Sequence, residues 1–406
     1  MNKLIITRWN QLICTALAGD RKILQIRLEP DEGETLLNSI YIGKVQNIRK
    51  NINAAFVDIG GGITGYYSLT DNQNHQYVNP GTHKELRVGD EIIVQVSREA
   101  VKTKAPVLSG NLVFTGKLTV LTAGKSGVGF SNKITDRQWK NALRPVLEQE
   151  VGEGYGLIVR TNGKDASSKE LLAEIRSLKK TCSDIMKSAP YRSCYSRLYQ
   201  APAAFLAGIR DAYADQLQEI VTDDTSLYEQ IDGFLKQEQP EDAGKLRLYQ
   251  DDLLSLSSLY CLDKAMEDVT ADRVWLKSGG YLVIEPTEAL VVIDVNTGKY
   301  SGKKTMQETI LKINLEAAEE IGRQLRLRNL SGIIIVDFID MAAEEDRKRL
   351  LEHLEAVVRL DPVKTTVVDI TKLNLVELTR KKIHRPLHEQ LSAWRKTSGN
   401  TKETLV

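Results

Sequence analysis

Two apolar segments of the sequence run into aspartate residues, and these acids are the clearest candidates for chemistry. Leu290–Gly298 reads LVVIDVNTG, and Gly332–Met341 reads GIIIVDFIDM. Side chains two residues apart in a strand point to the same face, so Asp294 and Asn296 are expected to project together. Asp337 follows the second apolar run in the same way.

Carboxylates at the ends of two neighbouring strands favour a magnesium site. Sites in α/β sheets are built at the carboxyl ends of strands, so Asp294 and Asp337 converge if their strands are neighbours. Mg²⁺ takes one or two carboxylates and fills its shell with water and phosphate oxygens. Spacing alone leaves open that both acids are caps or solvated strand ends. Asp340 is expected to cap a helix over Ala342–Leu360.

The segments around these acids predict alternating strands and helices. Strands are expected over Ala289–Val295 and Gly332–Phe338, with a long helix over Gln307–Leu327 between them. A further helix is predicted over Leu375–Ile383. Such alternation is typical of an α/β layer.

The upstream part of the chain has a different pattern. Short alternating runs over Tyr41–Val45, Ala54–Ile59 and Glu91–Val96, with a turn at Gly60–Gly62, predict a small closed β-barrel.

Helix dominates the prediction for the middle of the chain. The apolar spacing predicts helices over Asp136–Leu147 and Ala166–Met186, and more helix within Gln200–Leu235.

Composition narrows the class of protein. The chain has 406 residues, 42% hydrophobic and 27% charged, which excludes a disordered chain and a disulfide-rich miniprotein. No apolar run approaches the roughly 20 residues of a membrane helix, and no signal peptide is evident, so we expect a cytoplasmic protein with no membrane partner. The net charge of +1 does not exclude a nucleic-acid partner, because clustering of positive charge matters more.

Longer motifs closely resemble the ribonuclease E/G family, in the family's order. The motifs similar to its catalytic region are Val292–Gly298, Asn314–Ala318, Glu320–Arg328 and Ile335–Met341. The upstream motifs, similar to its inserted RNA-binding OB barrel and its terminal-phosphate sensor, are Tyr41–Lys44 with Ala54–Asp58, and Gly156–Thr161.

This resemblance implies a mixed α+β and α/β multidomain chain. An RNase H-like part is split by an inserted OB-fold barrel and a 5′-sensor, and a DNase I-like catalytic part follows. The implied parts are 1–35 and 196–270 (RNase H-like), 36–110 (OB-fold), 111–195 (5′-sensor), 271–385 (DNase I-like) and 386–406 (flexible tail).

The activity implied is that of a Mg²⁺-dependent endoribonuclease acting on single-stranded RNA. The family's two metal-binding aspartates fall on Asp294 and Asp337, and its catalytic-site asparagine falls on Asn296. Water attack leaving a 5′-phosphate and a 3′-hydroxyl is the expected reaction, with rRNA precursors and mRNA as substrates. The alternatives are a non-catalytic RNA-binding protein and a Mg²⁺-dependent phosphatase or nucleotide hydrolase.

RNA contacts are implied on the barrel. Phe56 and Tyr66 are stacking candidates, with Lys44 nearby for a phosphate. For Phe56 the alternative is a place in the barrel core. Tyr66 and Tyr67 alternate faces, so only one can meet RNA, and the family's aromatic residue falls on Tyr66.

The implied sensor of a terminal phosphate is Arg160 with Thr161. A planar guanidinium suits a phosphate bidentately, and the alternative is an ion pair with a nearby acid. The family completes this sensor with a small glycine-containing loop, where this chain has Lys102–Pro106. Pro106 lacks an amide donor, so the strength of 5′-end sensing is open.

A basic run and the absence of a late cysteine pair bear on RNA binding and on subunit assembly. The basic run Arg380–Arg385 is either a solvated face or an RNA backbone contact. Family members commonly carry a zinc-binding CxxC after the catalytic part, whereas the last cysteine here is Cys261. His384 and His388 do not replace it. A homodimer or homotetramer is therefore expected without a zinc link.

Overall fold

The computed structural model describes residues 2–19, 22–31, 36–79, 85–100, 104–212, 217–298, 306–383 and 385–397. The strands of these residues are β1 (Asn2–Trp9), β2 (Leu12–Ala18), β3 (Ile23–Pro30), β4 (Ile40–Arg49), β5 (Ala54–Asp58), β6 (Thr64–Ser68), β7 (Glu91–Arg98), β8 (Val107–Ser109), β9 (Val113–Thr115), β10 (Thr119–Ala123), β11 (Gly127–Phe130), β12 (Tyr155–Val159), β13 (Arg197–Tyr199), β14 (Leu217–Thr222), β15 (Leu246–Leu248), β16 (Arg273–Trp275), β17 (Tyr281–Pro286), β18 (Leu290–Asn296), β19 (Gly332–Asp337), β20 (Thr365–Ile370) and β21 (Leu375–Arg380). The helices are α1 (Arg137–Val151), α2 (Ser168–Ser188), α3 (Ala204–Asp211), α4 (Thr225–Glu238), α5 (Leu256–Leu259), α6 (Leu262–Thr270), α7 (Met306–Leu327), α8 (Glu344–Arg359) and α9 (Leu387–Thr397).

The chain divides into two compact units. The first comprises Met1–Asp31, Leu217–Gly233 and Asp242–Val406, and the second comprises Glu32–Gln216 and Phe234–Glu241. The second unit is therefore inserted into the sequence of the first.

Five strands of the described second unit close into a barrel. Their order is β4-β5-β6-β8-β7, and pairing of β4 with β7 closes the ring. Only the β6–β8 pair of this ring is parallel. Gly60, Gly61 and Gly62 all have positive φ in the turn between β5 and β6, which glycine adopts without a Cβ clash. The predicted small closed barrel is confirmed.

A second sheet of this unit has the order β11-β12-β10-β9 and packs with α1 and α2. The Asp136 carboxylate accepts the Trp139 amide at 3.0 Å and so caps α1. A reciprocal capping box of Ser167 and Glu170 begins α2. Both helices lie where the sequence predicts them, with ends shifted by a few residues.

The first sheet of the first unit has the order β15-β14-β1-β2-β3, and only β2 runs against the others. The predicted helix within Gln200–Leu235 is partly wrong, because β14 lies between α3 and α4. Ile220 and Val221 are fully buried there. A short buried strand lacks the alternation that would distinguish it from helix.

The second sheet of the first unit has the order β16-β17-β18-β19-β21-β20. Apolar side chains of α7 and α8 share one core with its buried face, which includes Val291, Ile293 and Val295 of β18. The intervening side chains of β18 lie on the opposite, partly exposed face. We call this surface the open face of the sheet.

The strands and the long helix predicted around the acids are confirmed. The predicted helix over Leu375–Ile383 is wrong, since β21 occupies Leu375–Arg380 and pairs with both β19 and β20. Val376, Leu378 and Arg380 alternate with more exposed residues, which is the period of a strand. No helix in the described ranges is both long and apolar enough to cross a membrane.

Candidate active site and nucleic-acid interface

Asp294 and Asp337 lie directly opposite each other on adjacent strands. β18 and β19 are parallel, and the register pairs Val292 with Ile335 and Asp294 with Asp337. Buried neighbours flank Asp294 on its own strand, so its side chain belongs to the open face. The predicted convergence of the two acids therefore occurs, because their strands are hydrogen-bonded neighbours.

Asn296 completes a polar row beside this acid pair. Its side-chain amide donates to the Asp294 carboxylate at 2.6 Å. Partial desolvation, together with the negative charges of Asp294 and Asp340, raises the pKa of Asp337 above its ordinary value. A site that disfavours its own negative charge in this way favours a bound cation.

The donor set fits Mg²⁺. Two carboxylates and an amide are hard oxygen ligands, and Mg²⁺ needs no more than one or two protein carboxylates. The described residues contain no group of three or more His, Cys, Asp or Glu side chains able to hold a metal. The paired Asp294 and Asp337 supply two carboxylates and leave coordination positions for water and phosphate.

Asn314 fixes the loop that follows Asp337. This side chain is fully buried on α7. Its amide donates to the Ile339 carbonyl at 2.8 Å, and its carbonyl oxygen accepts the Ile339 amide at 3.1 Å. The two bonds mimic a strand pairing and tie the helix to the backbone just beyond the acid.

Glycines allow the segment after Asn296 to pass close to the β16–β17 turn. Gly298 has φ +60°, and a Cβ there would collide with the carbonyl oxygen of Gly279. A Cβ on Gly280 would lie 2.8 Å from the Asn296 carbonyl oxygen. The turn is held from α7, where the Glu316 carboxylate accepts the Lys277 amide at 2.6 Å.

Asp340 does not cap the helix that follows it. Helix α8 begins after Ala343, and no side chain caps it. The Asp340 carboxylate instead accepts a hydrogen bond from the Asn374 amide at 3.3 Å. The predicted N-cap is wrong, because the chain continues for three residues beyond Asp340 before α8 starts.

The barrel presents Phe56 and Tyr66 as a cross-strand pair. The two residues are register partners, and their rings meet edge to face with centroids 6.2 Å apart. Both rings are half-buried. Phe56 stands between the fully buried Ala55 and Val57 on its strand, and Tyr66 precedes the fully buried Tyr67 on the other. They therefore lie on the opposite side of the strands from the barrel core.

Lys44 lies on the next strand of the same barrel. Its register partners are Asp58 on β5 and Glu91 on β7. The side chain is partly exposed.

Arg160 is held by groups of its own unit. Its guanidinium donates to the Asp211 carboxylate at 2.8 Å and to the Gly116 carbonyl at 2.6 Å. The Thr161 hydroxyl lies 3.0 Å from that of Ser131. The ion pair with a nearby acid, which is the alternative role predicted for Arg160, is therefore present.

The sensor loop and the basic run are only partly described. Of Lys102–Pro106, residues 102 and 103 lie outside the described residues, as does His384 of the basic run. Pro106 accepts the Tyr66 amide at 2.8 Å through its carbonyl. Arg380 is buried and bonded to Asp361 at 2.7 Å, so it takes part in neither a solvated face nor an RNA contact.

Comparison with known proteins identifies the family. The model of the ribonuclease E/G family matches residues 113–383. Ribonuclease G of Haemophilus influenzae is 32% identical over 386 residues, which cover 93% of this chain and 78% of that protein. The chain belongs to the ribonuclease E/G family.

Other relatives agree with this membership of the ribonuclease E/G family. Ribonuclease G of Escherichia coli K12 is 32% identical over 383 residues, covering 92% of this chain and 78% of that protein. Ribonuclease E of a Nostoc species is 33% identical over 364 residues, covering 88% of this chain and 53% of that protein. The predicted family is confirmed, and with it the prediction of an enzyme of the ribonuclease class.

Sequence reasoning missed the supporting residues of this ribonuclease E/G member. Both Asn314 and Glu316 stand in a motif that carries the resemblance. No role follows for Asn314 from its type, and Glu316 suggests only an ion pair with an arginine of the same helix, whereas it binds backbone amides. An asparagine beside the buried Ile313 and Ala317 of the helix is the signal that could have pointed to these two hydrogen bonds with Ile339.

Proposed function

We propose that this protein is a Mg²⁺-dependent endoribonuclease that cleaves single-stranded RNA. The observation that carries the proposal is the direct pairing of Asp294 and Asp337 on parallel strands, with Asn296 bonded to Asp294 on the open face. The named ribonucleases among its relatives support the same reaction class.

Asp294 and Asp337 would hold the ion, and Asn296 orients Asp294 through its 2.6 Å hydrogen bond. When bound, the ion supplies positive charge at the scissile phosphate and lowers the pKa of a water molecule. In the hydrolysis, a water oxygen bonds to phosphorus while the bond from phosphorus to the 3′ oxygen breaks. The attacking water loses a proton and the departing 3′ oxygen takes one up from solvent, so the products carry a 5′-phosphate and a 3′-hydroxyl.

The architecture supports the parts implied by the family. The ring order β4-β5-β6-β8-β7 suits an OB-fold RNA-binding barrel within 36–110. The sheet β15-β14-β1-β2-β3 and the sheet that carries the acids are proposed as the RNase H-like part (1–35 and 196–270) and the DNase I-like part (271–385). The 5′-sensor would occupy 111–195, and 386–406 would be the tail.

On the barrel, Phe56 and Tyr66 would stack with RNA bases, and Lys44 would meet a phosphate. The half-buried ring pair on the outer side supports this role. Stacking on each ring would contribute about 1–3 kcal/mol per base and would tolerate any sequence.

Arg160 and Thr161 would bind a 5′-monophosphate. The Asp211 carboxylate competes for the same guanidinium. A phosphate would therefore have to displace this ion pair, and Asp211→Asn should strengthen any preference for monophosphorylated ends.

The proposed substrates are rRNA precursors and mRNA in the cytoplasm. A homodimer or homotetramer would assemble through direct contacts between subunits, without a CxxC zinc link.

The test is cleavage of a short single-stranded RNA with Mg²⁺, with 5′-monophosphate, 5′-hydroxyl and 5′-triphosphate ends compared. Wild type should cut internally, and Asp337→Asn should abolish cutting while retaining RNA binding. Faster cleavage of the monophosphate would support Arg160 as the sensor. RNA binding without cleavage by wild type would instead identify a non-catalytic binding protein.

A further inference from the structure

A group of aromatic and cationic side chains, two of them exposed and one half-buried, lies at one edge of the sheet that carries the acids. Trp275 on β16 and Tyr281 on β17 have ring centroids 5.2 Å apart, tilted by 57°. The Arg273 guanidinium lies 4.5 Å from the Tyr281 centroid and 5.9 Å from that of Trp275. We call these three residues the aromatic shelf.

The shelf faces the same side of the sheet as the acid pair. Trp275 pairs with Tyr281, and Tyr281 pairs with Asn296, so these three residues form one row across three antiparallel strands. The next row contains Arg273, Val283 and Asp294, because opposite residues of paired strands share a face. The shelf and the proposed metal ligands therefore belong to one continuous surface.

Strand spacing sets the distance from the shelf to the site of cleavage. Neighbouring strands lie about 4.8 Å apart, so Tyr281 is one strand and Trp275 two strands from Asn296. A phosphate held at the acid pair would thus bring a flanking base within reach of the rings. A base farther from the scissile phosphate would lie closer to Trp275 than to Tyr281.

Exposure distinguishes the shelf from ordinary core packing. Trp275 is 64% exposed, and Arg273 is exposed as well, while the alternate residue Leu276 is buried in the core. The guanidinium attracts both the rings and a phosphate, which provides charge complementary to RNA. Large aromatic faces beside a cation are the surface that single-stranded nucleic acids use for stacking.

We propose that Arg273, Trp275 and Tyr281 form a stacking subsite that holds one nucleobase of the RNA substrate beside the scissile phosphate. The subsite rests on the proposed endoribonuclease function and adds a base contact within the catalytic unit itself. It accepts any base, because every base has a π-face. Its contribution is positioning of the strand across the acid pair.

The first experiment needs no variant. Wild-type protein is given single-site RNA substrates in which one nucleotide at a time, on either side of the cut, lacks its base. At the position held by the shelf, we expect base removal to lower kcat/KM roughly 5- to 160-fold, the range of one stacked base. Equal sensitivity at all flanking positions would overturn the proposal.

The second experiment couples that position to the shelf. Trp275→Ala should lower kcat/KM on intact RNA by a similar factor and should no longer respond to base removal at the sensitive position, while Trp275→Phe should retain most of the rate. Val368→Ala, at the exposed Val368 on the opposite edge strand, is the matched control and should behave as wild type.

The outcomes separate the two proposals. Wild type that cuts no RNA would refute the endoribonuclease itself. Active wild type combined with a Trp275→Ala variant that slows all substrates equally, or changes only the oligomeric state, would refute the stacking subsite alone.

Discussion

Burial decides what individual charged residues do in this chain. Arg380 belongs by sequence to a basic run, yet its guanidinium meets both carboxylate oxygens of Asp361, the Asn329 side chain and the Leu330 carbonyl. It is 4% exposed and Asp361 is 5% exposed. By contrast, Lys381 beside it is exposed.

The first prediction tests this buried pair. Arg380→Met should lower the free energy of unfolding by about 3–5 kcal/mol, because Asp361 would remain buried without its cation. Urea denaturation measures the loss. Lys381→Met is the control and should change stability by less than about 0.5 kcal/mol. Similar losses in the two variants would contradict the assigned role of burial.

The second prediction concerns the clamp on the loop after Asp337. Asn314→Ala should cost about 1–3 kcal/mol of unfolding free energy, since both backbone groups of Ile339 lose a partner. The RNA cleavage rate should also fall, while RNA binding persists. Lys312→Ala, on an exposed position of the same helix, should leave both quantities unchanged. A variant that loses stability but cuts at the wild-type rate would argue against a positioning role.

At the scale of elements, the β16–β17 hairpin and the end of β18 depend on close backbone approach. Gly298 and Gly61 have φ of +60° and +62°, but only Gly298 meets another backbone group. Both glycines therefore need a positive φ, but only at Gly298 would an added Cβ collide with a neighbouring backbone atom.

The third prediction compares these two glycines of similar φ. Gly298→Ala should displace the segment after Asn296 and reduce RNA cleavage strongly, whereas Gly61→Ala should show only the modest destabilisation expected at positive φ. Thermal unfolding and cleavage rates, measured on both variants, separate the backbone strain common to both from the Cβ collision at position 298. Equal effects of the two substitutions on cleavage would show that the close approach is unimportant.

Prediction from sequence succeeded for most elements with a clear period and failed for two short strands. The long helix α7 and the alternating β18 were both recognisable. The wrong predictions of helix fell on the strands β14 and β21, whose six residues mix polar and apolar side chains and give too few repeats to separate the two periods.

Across the first unit, a largely buried polar network links helix α7, which packs on the second sheet, to strand β3 of the first sheet. The Glu320 carboxylate on α7 accepts from Arg323 at 2.9 Å and from Gln324 at 2.9 Å. Arg323 also donates to the Ile23 carbonyl of β3 at 3.1 Å. Burial alone would raise the pKa of Glu320, but the bonds and charge of Arg323 outweigh it and lower that pKa.

The fourth prediction follows from the sign of this shift. A carboxylate whose pKa is lower in the folded than in the unfolded state stabilises the fold fully above its unfolded pKa, about 4.3, and loses that contribution as the pH falls further. Unfolding free energy should therefore drop more steeply below about pH 4 in wild type than in Glu320→Gln. Urea titrations at several pH values measure this difference. Parallel curves for the two proteins would contradict it.

The family, the barrel and the acidic ends of β18 and β19 were predictable from the residues alone, because those signals are local runs and motifs. Strand period alone also gave the shared face of Asp294 and Asn296. Which residues meet depends on strand pairing: the pairing of β18 with β19 places Asp337 opposite Asp294, and the pairing of β16, β17 and β18 aligns Trp275 and Tyr281 with Asn296. Periodicity fixes the side of a strand on which a residue lies, whereas its neighbours depend on hydrogen bonds between segments distant in the chain.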